Sequence, residues 1–417
     1  MPYTDVQFIG YHHQLGYDVK NGGGPHRIWG GAYHLLPGGG PVFTLWQGKG
    51  TQSYKGHPND RTDLTHRCSF VKSAIMRASN SPHLDDRDST LKVFLMPEFF
   101  FRGAKGGYQF DLISQVLSDF RRWTFNARND RFRGWVFVLG TIIGYLDEYD
   151  AVVTNRKTGV EVFNIALIQQ GGYLNSDGKH DRLVYKEQVS GIDYINDSWM
   201  QVDGPGNVLG RGDNRGRILL GNKNRYRPTI PTRGSHDPMS QVATRSVNRS
   251  EWSTNPLQGG CNFRLGARGE AINEVSFGVE VCLDHLSARM KNTDEAETIG
   301  EIEPMIQLIP SAGMDIKDNA VAVTDTGYVF NVDGLRTPGS TPPAIELKRW
   351  DAGTSTTAAL EGLGSFAVHS VPNPVVGGVP LNPLTYFASA GNLKIYRARP
   401  MPPQVTVESP LAALFGP

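Results

Sequence analysis

Apolar runs of strand length alternate with helix-periodic segments from residue 66 onward, and this alternation restricts the chain to few architectures. HRCSFVKSAIMRASN (66–80) and FDLISQVLSDFRRWTF (110–125) repeat their apolar residues about every 3.6 positions, as helices do. LKVFLMP (91–97) and GWVFVLGTIIGYL (134–146) are apolar runs typical of buried strands. The order predicts a layered α/β domain in which helices cover the faces of a sheet.

Further strand patterns follow these four segments. VTNRKTGVEVFNIALIQQGG (153–172) is typical of a hairpin, with its turn near Lys157. NEVSFGVEVCLDHLSARM (273–290) predicts a strand that ends near Cys282 and leads into a short helix. IEPMIQLIPSAGM (302–314) and NAVAVTDTGYVFNV (319–332) supply more strands.

The chain divides into three parts by composition. Its 417 residues exceed the roughly 250 to 300 at which a single hydrophobic core usually stops growing. We predict an N-terminal arm over residues 1–40, marked by two glycine clusters, and a main domain over residues 41–345. The proline-rich residues 346–417 are predicted to be a C-terminal extension that wraps the domain.

Between about residues 197 and 260 the periodicity stops, which indicates an insertion into the main domain. From Arg211 to Arg249 it carries nine basic residues against two acidic ones, 9 − 2 = +7. Such a segment suits an acidic substrate, a partner subunit or nucleic acid, and a solvated surface loop is the equally weighted alternative. Composition alone leaves these readings open.

The whole chain has no charge excess, since 42 Lys and Arg residues balance 41 Asp and Glu residues. We therefore expect no membrane partner and disfavour nucleic acid. There is no leader pattern and no run of about 18 apolar residues, so we predict a cytoplasmic protein. Three widely spaced cysteines predict free thiols.

Three segments place a reactive polar residue at the edge of an apolar strand. They are VFLMPEFFF with Glu98, DRLVYKEQVS with Lys186, and FGVEVCLDH with Cys282. Taken singly, each has an ordinary explanation: a strand terminator, a surface lysine and a core cysteine.

Together these segments resemble the nitrilase superfamily of carbon–nitrogen hydrolases. The resemblance covers about residues 40–335 and includes Met96–Phe99, Asn164, Tyr185-Lys186 and Val281–Asp284. It implies an αββα sandwich, a homodimer or higher homo-oligomer, and no cofactor. One departure is the Lys186-to-Cys282 gap, 282 − 186 = 96, which is longer than usual because of the basic insertion.

The resemblance also implies a role for each residue. Cys282 is the nucleophile and Glu98 the general acid and base, while Lys186 and the backbone N–H of Leu283 stabilise an oxyanion. A free thiol has a pKa of about 8.5, which a neighbouring ammonium lowers. Asp193 occupies a place where the family has a supporting Glu, and would act with a shorter reach.

His285 follows Cys282 by three positions and could line the substrate pocket, with a capping or packing role as the alternative. The histidines show no HExxH or Cys/His spacing, so no metal site is expected.

The predicted function is hydrolysis of a small non-peptide amide or N-carbamoyl compound through a thioester. Asp284 favours an amide over a nitrile, because nitrile-hydrolysing relatives more often carry Trp-Glu there. Nitrile hydrolysis and N-acyl transfer through the same thioester remain alternatives. A nucleic-acid-binding module built on the basic insertion is an alternative of another class.

Overall fold

The structure is a computed structural model of the chain. It describes residues 3–15, 17–19, 27–35, 41–49, 52–104, 106–125, 131–149, 157–172, 181–186, 217–220, 261–265, 275–291, 303–337, 339–362 and 364–404. Asp193 lies outside these residues, and so does the predicted insertion apart from residues 217–220. Both glycine clusters of the N-terminal arm lie outside them as well.

The described residues contain three α-helices: α1 (Asp60–Ser79), α2 (Ile113–Thr124) and α3 (Leu283–Leu286). None of these combines the length and the apolar composition that crossing a membrane requires. A first sheet contains β1 (Asp5–His12), β6 (Thr90–Leu95), β7 (Tyr108–Gln109), β8 (Trp135–Tyr149), β9 (Lys157–Gln170), β10 (Asp181–Tyr185), β11 (Arg217–Leu220), β18 (Phe366–Ser370), β21 (Asn392–Tyr396) and β22 (Arg399–Pro400).

A second sheet contains β12 (Asn262–Leu265), β13 (Val275–Val279), β14 (Ile306–Ser311), β15 (Tyr328–Asp333), β16 (Ile345–Asp351) and β17 (Thr356–Ala359). Three small antiparallel pairs join β2 (Tyr17–Val19) to β5 (Gln52–Tyr54), β3 (Arg27–Leu35) to β4 (Pro41–Lys49), and β19 (Val375–Val376) to β20 (Val379–Pro380).

The first helix begins where its sequence offers a cap. The side-chain oxygen of Asn59 accepts the backbone N–H of Thr62 at 3.0 Å. Asp60 and Asp63 lie in the first turn, where carboxylates interact favourably with the helix dipole. The predicted helix over residues 66–80 is confirmed, and it starts earlier than expected because this polar cap precedes the apolar pattern.

β6 lies inside the first sheet, between β1 and β8, and is parallel to both. All six of its residues are buried, which explains why the strand is a continuous apolar run. β8 and β9 form an antiparallel hairpin, and β10 pairs with β9 on the far side. The order of strands along the first sheet is β10-β9-β8-β6-β1-β21-β18, with β22 beside β1. Two short strands lie off this path: β7 pairs in parallel with β8, and β11 pairs in parallel with β9.

Two apolar clusters define how the layers pack. One lies between the sheets and includes Phe8 and Val93 of the first sheet with Phe277 and Leu308 of the second. The other lies between the first sheet and the helices α1 and α2, and includes Phe94. Successive side chains of a strand point to opposite faces, so β6 contributes to both clusters. The two sheets are therefore stacked face to face, with two helices outside the first.

A loop segment covers the outer face of the second sheet within the described ranges. Ile316 and Val321 pack there against Ile309 and Val329. A short 3₁₀ helix, Asp318–Ala320, belongs to this segment. The layers of the described residues are thus helix, sheet, sheet and covering loop, and the predicted mixed α/β class is confirmed.

Both ends of the chain contribute strands to the sheets. β1, from the predicted N-terminal arm, lies between β6 and β21. β21 and β18, from the predicted C-terminal extension, continue the first sheet on that side. β16 begins at Ile345, the last residue of the predicted main domain, continues into the predicted extension and pairs with β15 in the second sheet. The C-terminal residues therefore take part in both sheets.

Candidate functional site

Glu98 and Lys186 form a buried ion pair where two strands of the first sheet end. Nζ of Lys186 lies 2.8 Å from Oε1 of Glu98, and the exposed fractions of the two side chains are 2% and 0%. The side-chain amide of Asn164, on β9, donates to the same oxygen at 2.7 Å. Two N–H donors from different strands thus hold one carboxylate oxygen of Glu98 in place.

A tight turn after β6 presents Glu98. The backbone N–H of Phe99 donates to Oγ1 of Thr141 at 2.8 Å. Phe99 has a φ of 61°, which a bulky residue adopts only where its neighbours hold it. Gly140 makes room for the turn, because a Cβ at that position would collide with the carbonyl oxygen of Pro97. The conformation at Glu98 is therefore imposed by packing against β8.

Lys186 follows the last residue of β10. Its backbone N–H donates to the carbonyl oxygen of Asn164 at 2.9 Å, which continues the pairing between β9 and β10 by one residue. Tyr185 belongs to the apolar cluster on the helix side of the sheet, and Val184 to the cluster between the sheets. Because side chains alternate along a strand, Lys186 is directed toward the second sheet.

Cys282 follows β13 in that second sheet. Its φ of 49° lies in the left-handed region that favours glycine, so the residue occupies a strained turn. Its Sγ donates to the carbonyl oxygen of Ala312 at 3.8 Å. The residue is 4% exposed and borders the apolar cluster between the sheets. Leu283, the predicted oxyanion donor, begins α3 directly after it.

The end of β14 brings the segments of Glu98 and Cys282 together. The backbone N–H of Cys282 donates to the carbonyl oxygen of Pro310 at 3.2 Å. The backbone N–H of Glu98 donates across the sandwich to the carbonyl oxygen of Ser311 at 3.3 Å. Pro310 and Ser311 are consecutive, so the two main chains are held against one strand end.

Arg289 connects the segment of Cys282 to that of Lys186. Its Nη1 donates to the carbonyl oxygen of Tyr185 at 2.6 Å, next to Lys186 in the chain. The same nitrogen lies 3.0 Å from Oδ2 of Asp284, and both side chains are buried. The three predicted residues, distant in sequence, are thus carried by segments that contact one another.

Asp333 holds the loop that follows β14. Its Oδ2 accepts the backbone N–H groups of Gly313 at 2.5 Å and Met314 at 2.8 Å. Its Oδ1 accepts two further N–H groups from the residues that follow it, at 2.8 and 3.0 Å. The loop contains Ala312, whose carbonyl oxygen faces the Cys282 thiol. Asp333 therefore fixes the main chain around that thiol.

His285 is fully buried behind Cys282. Its Nδ1 lies 2.7 Å from Oε2 of Glu280, and its Nε2 accepts the backbone N–H of Lys317 at 3.0 Å. Gln307 donates to the same Glu280 oxygen at 2.6 Å. Both ring nitrogens of His285 therefore form hydrogen bonds within the protein. These contacts agree with the predicted packing role.

A cleft opens beside Phe99. The Phe99 ring lies 3.7 Å below the guanidinium carbon of Arg102, and the Tyr54 ring lies 4.5 Å from the same carbon. Nζ of Lys186 lies 5.6 Å from the centre of the Phe99 ring. Lys55 and Tyr386 are among the other residues that line the cleft. The Phe99 ring therefore touches both the cleft and the Glu98–Lys186 pair.

Two predicted features, the supporting residue Asp193 and the basic insertion, cannot be placed relative to this site. Asp193 and the basic insertion have no place among the described residues, apart from the strand over 217–220. In the part of the chain that the structure describes, no three His, Cys, Asp or Glu side chains are grouped so that they could hold a metal ion.

Comparisons with known proteins were made for the whole chain. No protein-family model, no curated protein and no solved structure matches it. The resemblance to the nitrilase superfamily therefore depends on the motifs around Glu98, Lys186 and Cys282, and on nothing beyond them.

Sequence reasoning did not find Arg102, Asp333 or Arg289. Asp333 ends the apolar strand YVFNVD, which is the same signal that singled out Glu98. Arg102 follows the aromatic run after Glu98, where an arginine in sequence alone looks like any surface cation. Arg289 had no local signal, because its partners are 5 and 104 residues away.

Proposed function

We propose that this protein is a nitrilase-type enzyme that hydrolyses a carbon–nitrogen bond of a small non-peptide amide or N-carbamoyl compound through a thioester on Cys282. The observation that carries the proposal is the buried Lys186–Glu98 pair, 2.8 Å apart. Removing two charges from water costs several kcal/mol per ion, so such a pair is weak evidence for stability alone. Catalysis explains why the pair is buried, because it brings a general base and an oxyanion-stabilising cation to one place.

The first half-reaction forms the thioester. Glu98 accepts the proton of the Cys282 thiol, and the thiolate attacks the carbonyl carbon of the amide. The tetrahedral intermediate carries an oxyanion, for which the Lys186 ammonium and the Leu283 backbone N–H are the proposed donors. When the intermediate collapses, the carbon–nitrogen bond breaks and Glu98 returns its proton to the leaving amine or ammonia.

The second half-reaction releases the acid. Glu98 takes a proton from a water molecule, and the resulting hydroxide attacks the carbonyl carbon of the thioester. The carbon–sulfur bond then breaks, the proton returns to the Cys282 sulfur, and the carboxylic acid leaves. One carboxylate serves both half-reactions, which requires that it be held in place. The bonds from Lys186 and Asn164 to Oε1 meet that requirement.

The proposal includes the αββα sandwich of the nitrilase type. It is supported by two sheets packed face to face and by α1 and α2 on the outside of the first sheet. The described residues outside the second sheet are the covering loop with its 3₁₀ helix, and α3 follows β13. A homodimer or larger homo-oligomer, a cytoplasmic location, and the supporting role of Asp193 stay predictions.

The proposal is tested by intact-mass spectrometry of the full chain after incubation with a library of small amides and nitriles. An acyl adduct that maps to Cys282, and that disappears in Cys282→Ala, is the expected result. The adduct mass names the acyl group, and separate incubations with the amide and the nitrile of that acyl group show which of the two is hydrolysed. Lys186→Arg should also lose turnover, because an Arg fork cannot replace one ammonium directed at one oxygen.

Cys68→Ala is the matched control for this experiment. Burial raises the pKa of the Cys68 thiol to about 12, so that thiol stays protonated at neutral pH and its removal should leave adduct formation unchanged. Turnover that survives in Cys282→Ala, or an adduct on Cys68 in place of Cys282, would end the proposal.

A further inference from the structure

A buried carboxylate that the proposed mechanism does not use lies between β13 and Cys282. Glu280 is fully buried and precedes Cys282 by two residues. Its Oε1 accepts the backbone N–H of Met290 at 2.6 Å. Its Oε2 lies 2.7 Å from Nδ1 of His285 and 2.6 Å from Nε2 of Gln307. One carboxylate therefore contacts the segment that follows Cys282 at two separate residues.

The covering loop decides which nitrogen of His285 carries the proton. The backbone N–H of Lys317, in that loop, donates to Nε2 at 3.0 Å. Because a backbone N–H cannot accept, Nε2 must hold a lone pair, and the ring proton lies on Nδ1, toward Glu280. The amide nitrogen of Gln307 lies 3.2 Å from Nδ1, since both groups donate to the same Glu280 oxygen. His285 is therefore a neutral ring that donates to Glu280 and accepts from the loop.

The contact between Glu280 and His285 acts on the conformation of Cys282. The φ of 49° at Cys282 is costly, and such a conformation persists only where the surrounding contacts hold it. Glu280 precedes the strained residue and His285 follows it, so their 2.7 Å contact holds the turn from both sides. The backbone N–H of His285 also donates to the carbonyl oxygen of Cys282 at 2.9 Å. Loss of the side-chain contact lets the turn relax and moves the thiol relative to Lys186.

We infer that Glu280 and His285 are positioning residues, which hold Cys282 in the strained turn through the protonated Nδ1 of His285. The inference rests on the proposed function, because it takes Cys282 as the nucleophile. It gives His285 a role that depends on one ring atom acting as a donor, whereas packing depends only on the size of the ring.

Two substitutions at His285 separate the donor from the acceptor. The amide of an asparagine lies where Nδ1 lies in histidine, so His285→Asn keeps a donor toward Glu280 and loses the acceptor for Lys317. The longer glutamine places its amide near the position of Nε2, so His285→Gln keeps the acceptor and loses the donor. If His285 only filled space, the smaller asparagine would do more damage than glutamine. The positioning role predicts the opposite order for the reactivity of Cys282.

The readout is the rate at which iodoacetamide labels Cys282 across a range of pH, measured by mass spectrometry. The unaltered protein should label with a midpoint below the value of about 8.5 for a free thiol, because the Lys186 ammonium favours the thiolate. His285→Gln should raise the midpoint toward about 8.5 and slow labelling at neutral pH about tenfold, since losing a hydrogen bond to a charged group shifts an equilibrium by about that factor. His285→Asn should retain most of the rate and the lower midpoint.

Two further variants complete the design. Glu280→Gln keeps the size of the side chain and places an N–H₂ group against N–H donors, so it should slow labelling as His285→Gln does. It gives the same comparison with His285→Asn if His285→Gln does not fold. His369→Gln is the matched control, because both ring nitrogens of His369 also have polar partners, Arg77 and Ser81. This residue lies on β18, at one end of the strand order of the first sheet, and its variant should change neither the rate nor the midpoint.

The outcomes separate this inference from the function on which it rests. If Cys282 of the unaltered protein labels like a free thiol and forms no acyl adduct, the proposed function fails and the inference fails with it. If Cys282 labels with a lowered midpoint but His285→Asn loses as much rate as His285→Gln, or does not fold, the positioning role is overturned and the proposed function stands.

Discussion

Nζ of Lys186 lies 2.8 Å from Oε1 of Glu98, although 88 residues separate them in the chain. Neither side chain reaches solvent appreciably, so each charge depends on the other and on nearby N–H groups to offset its lost hydration. The pair therefore links the stability of the molecule to the chemistry proposed for it, and both can be tested on the same residues.

Replacing one member of the Glu98–Lys186 pair should destabilise the protein more, per residue changed, than replacing both members together. Lys186→Met or Glu98→Leu alone should lower the free energy of unfolding by about 3–5 kcal/mol, because the remaining charge is left buried without its partner. The double variant should lose less than the sum of the two single losses. Urea denaturation of the four proteins measures the coupling, and strictly additive losses would contradict it.

An exposed pair on α2 is the control for that cycle. Arg122 lies 2.8 Å from Asp119, with exposed fractions of 71% and 37%. Alanine substitutions at these two positions should give a coupling below about 1 kcal/mol, because solvent and salt screen exposed charges. A coupling as large as that of the buried pair would show that burial is not the cause.

The backbone at Cys282 should prefer glycine to alanine. Its φ of 49° is costly for a residue with a Cβ, whereas glycine adopts it freely. Cys282→Gly should therefore be at least as stable as Cys282→Ala, and both should be inactive. The measurement is again urea denaturation of the two variants.

Cys68 supplies the opposite expectation within the same chain. It lies in the interior of α1, where glycine costs about 1 kcal/mol relative to alanine. Cys68→Gly should thus be less stable than Cys68→Ala. If the Gly and Ala variants had the same order of stability at both cysteines, the strained turn would not explain the preference for glycine at Cys282.

Asp333 should matter for the reactivity of Cys282 as well as for stability. Asp333→Asn replaces an acceptor with an N–H₂ group that faces backbone N–H donors. We expect a loss of at least ~2 kcal/mol in the free energy of unfolding, and a several-fold slower reaction of Cys282 with iodoacetamide. The second readout separates an effect on the thiol's surroundings from a general loss of stability.

Asp351 is the matched control, since it also ends a strand and accepts backbone N–H groups, at 2.9 and 3.2 Å, but in an exposed turn. Asp351→Asn should cost less than about 1 kcal/mol and leave the labelling rate unchanged. If Asp333→Asn also cost less than about 1 kcal/mol and left the labelling rate unchanged, Asp333 would not position the main chain around Cys282.

Acid should destabilise the protein through His13. Burial lowers the pKa of this histidine from 6.5 to about 3, so the folded state keeps the ring neutral while the unfolded state protonates it. Between those two pH values the unfolded state binds more protons, and stability falls as the pH is lowered, by up to about 1.4 kcal/mol per pH unit. Above pH 6.5 this contribution is constant.

A variant without the imidazole should flatten that dependence. His13→Asn keeps a donor toward the carbonyl oxygen of Ser389, which Nδ1 approaches at 3.0 Å, but has no group that titrates in this range. It should be less stable at pH 7 and lose stability less steeply on acidification. The pKa of His12 is also lowered by burial, so part of the slope should remain. An unaltered slope would exclude His13 as a source.

Several features could be predicted because their signals are local. The helical spacing of residues 66–80 and 110–125 matches α1 and α2, and the apolar run at residues 91–97 matches β6. The strand before Cys282 and the short helix after it are also as predicted. These elements depend on contacts within one turn or on one strand face, which periodicity records directly.

Other features could not be predicted, because they depend on distant pairing. β21 lies beside β1 with Ile9 opposite Ile395, so the proline-rich C-terminal residues complete the first sheet. Nothing in either segment specifies that partner. Asp333 was missed although it ends an apolar strand, because the loop that it holds at Gly313 and Met314 comes from another segment.

The amino-acid sequence by itself determined the class of the fold, most of the elements around the site, and the three residue types, each at the edge of an apolar strand. Only the tertiary structure decided that Lys186 and Asn164 bond one oxygen of Glu98, and that Cys282 and Glu98 lie against the same strand end. The physical reason is that side-chain periodicity reports which face of an element is buried. The order of strands in the sheets decides which buried faces meet.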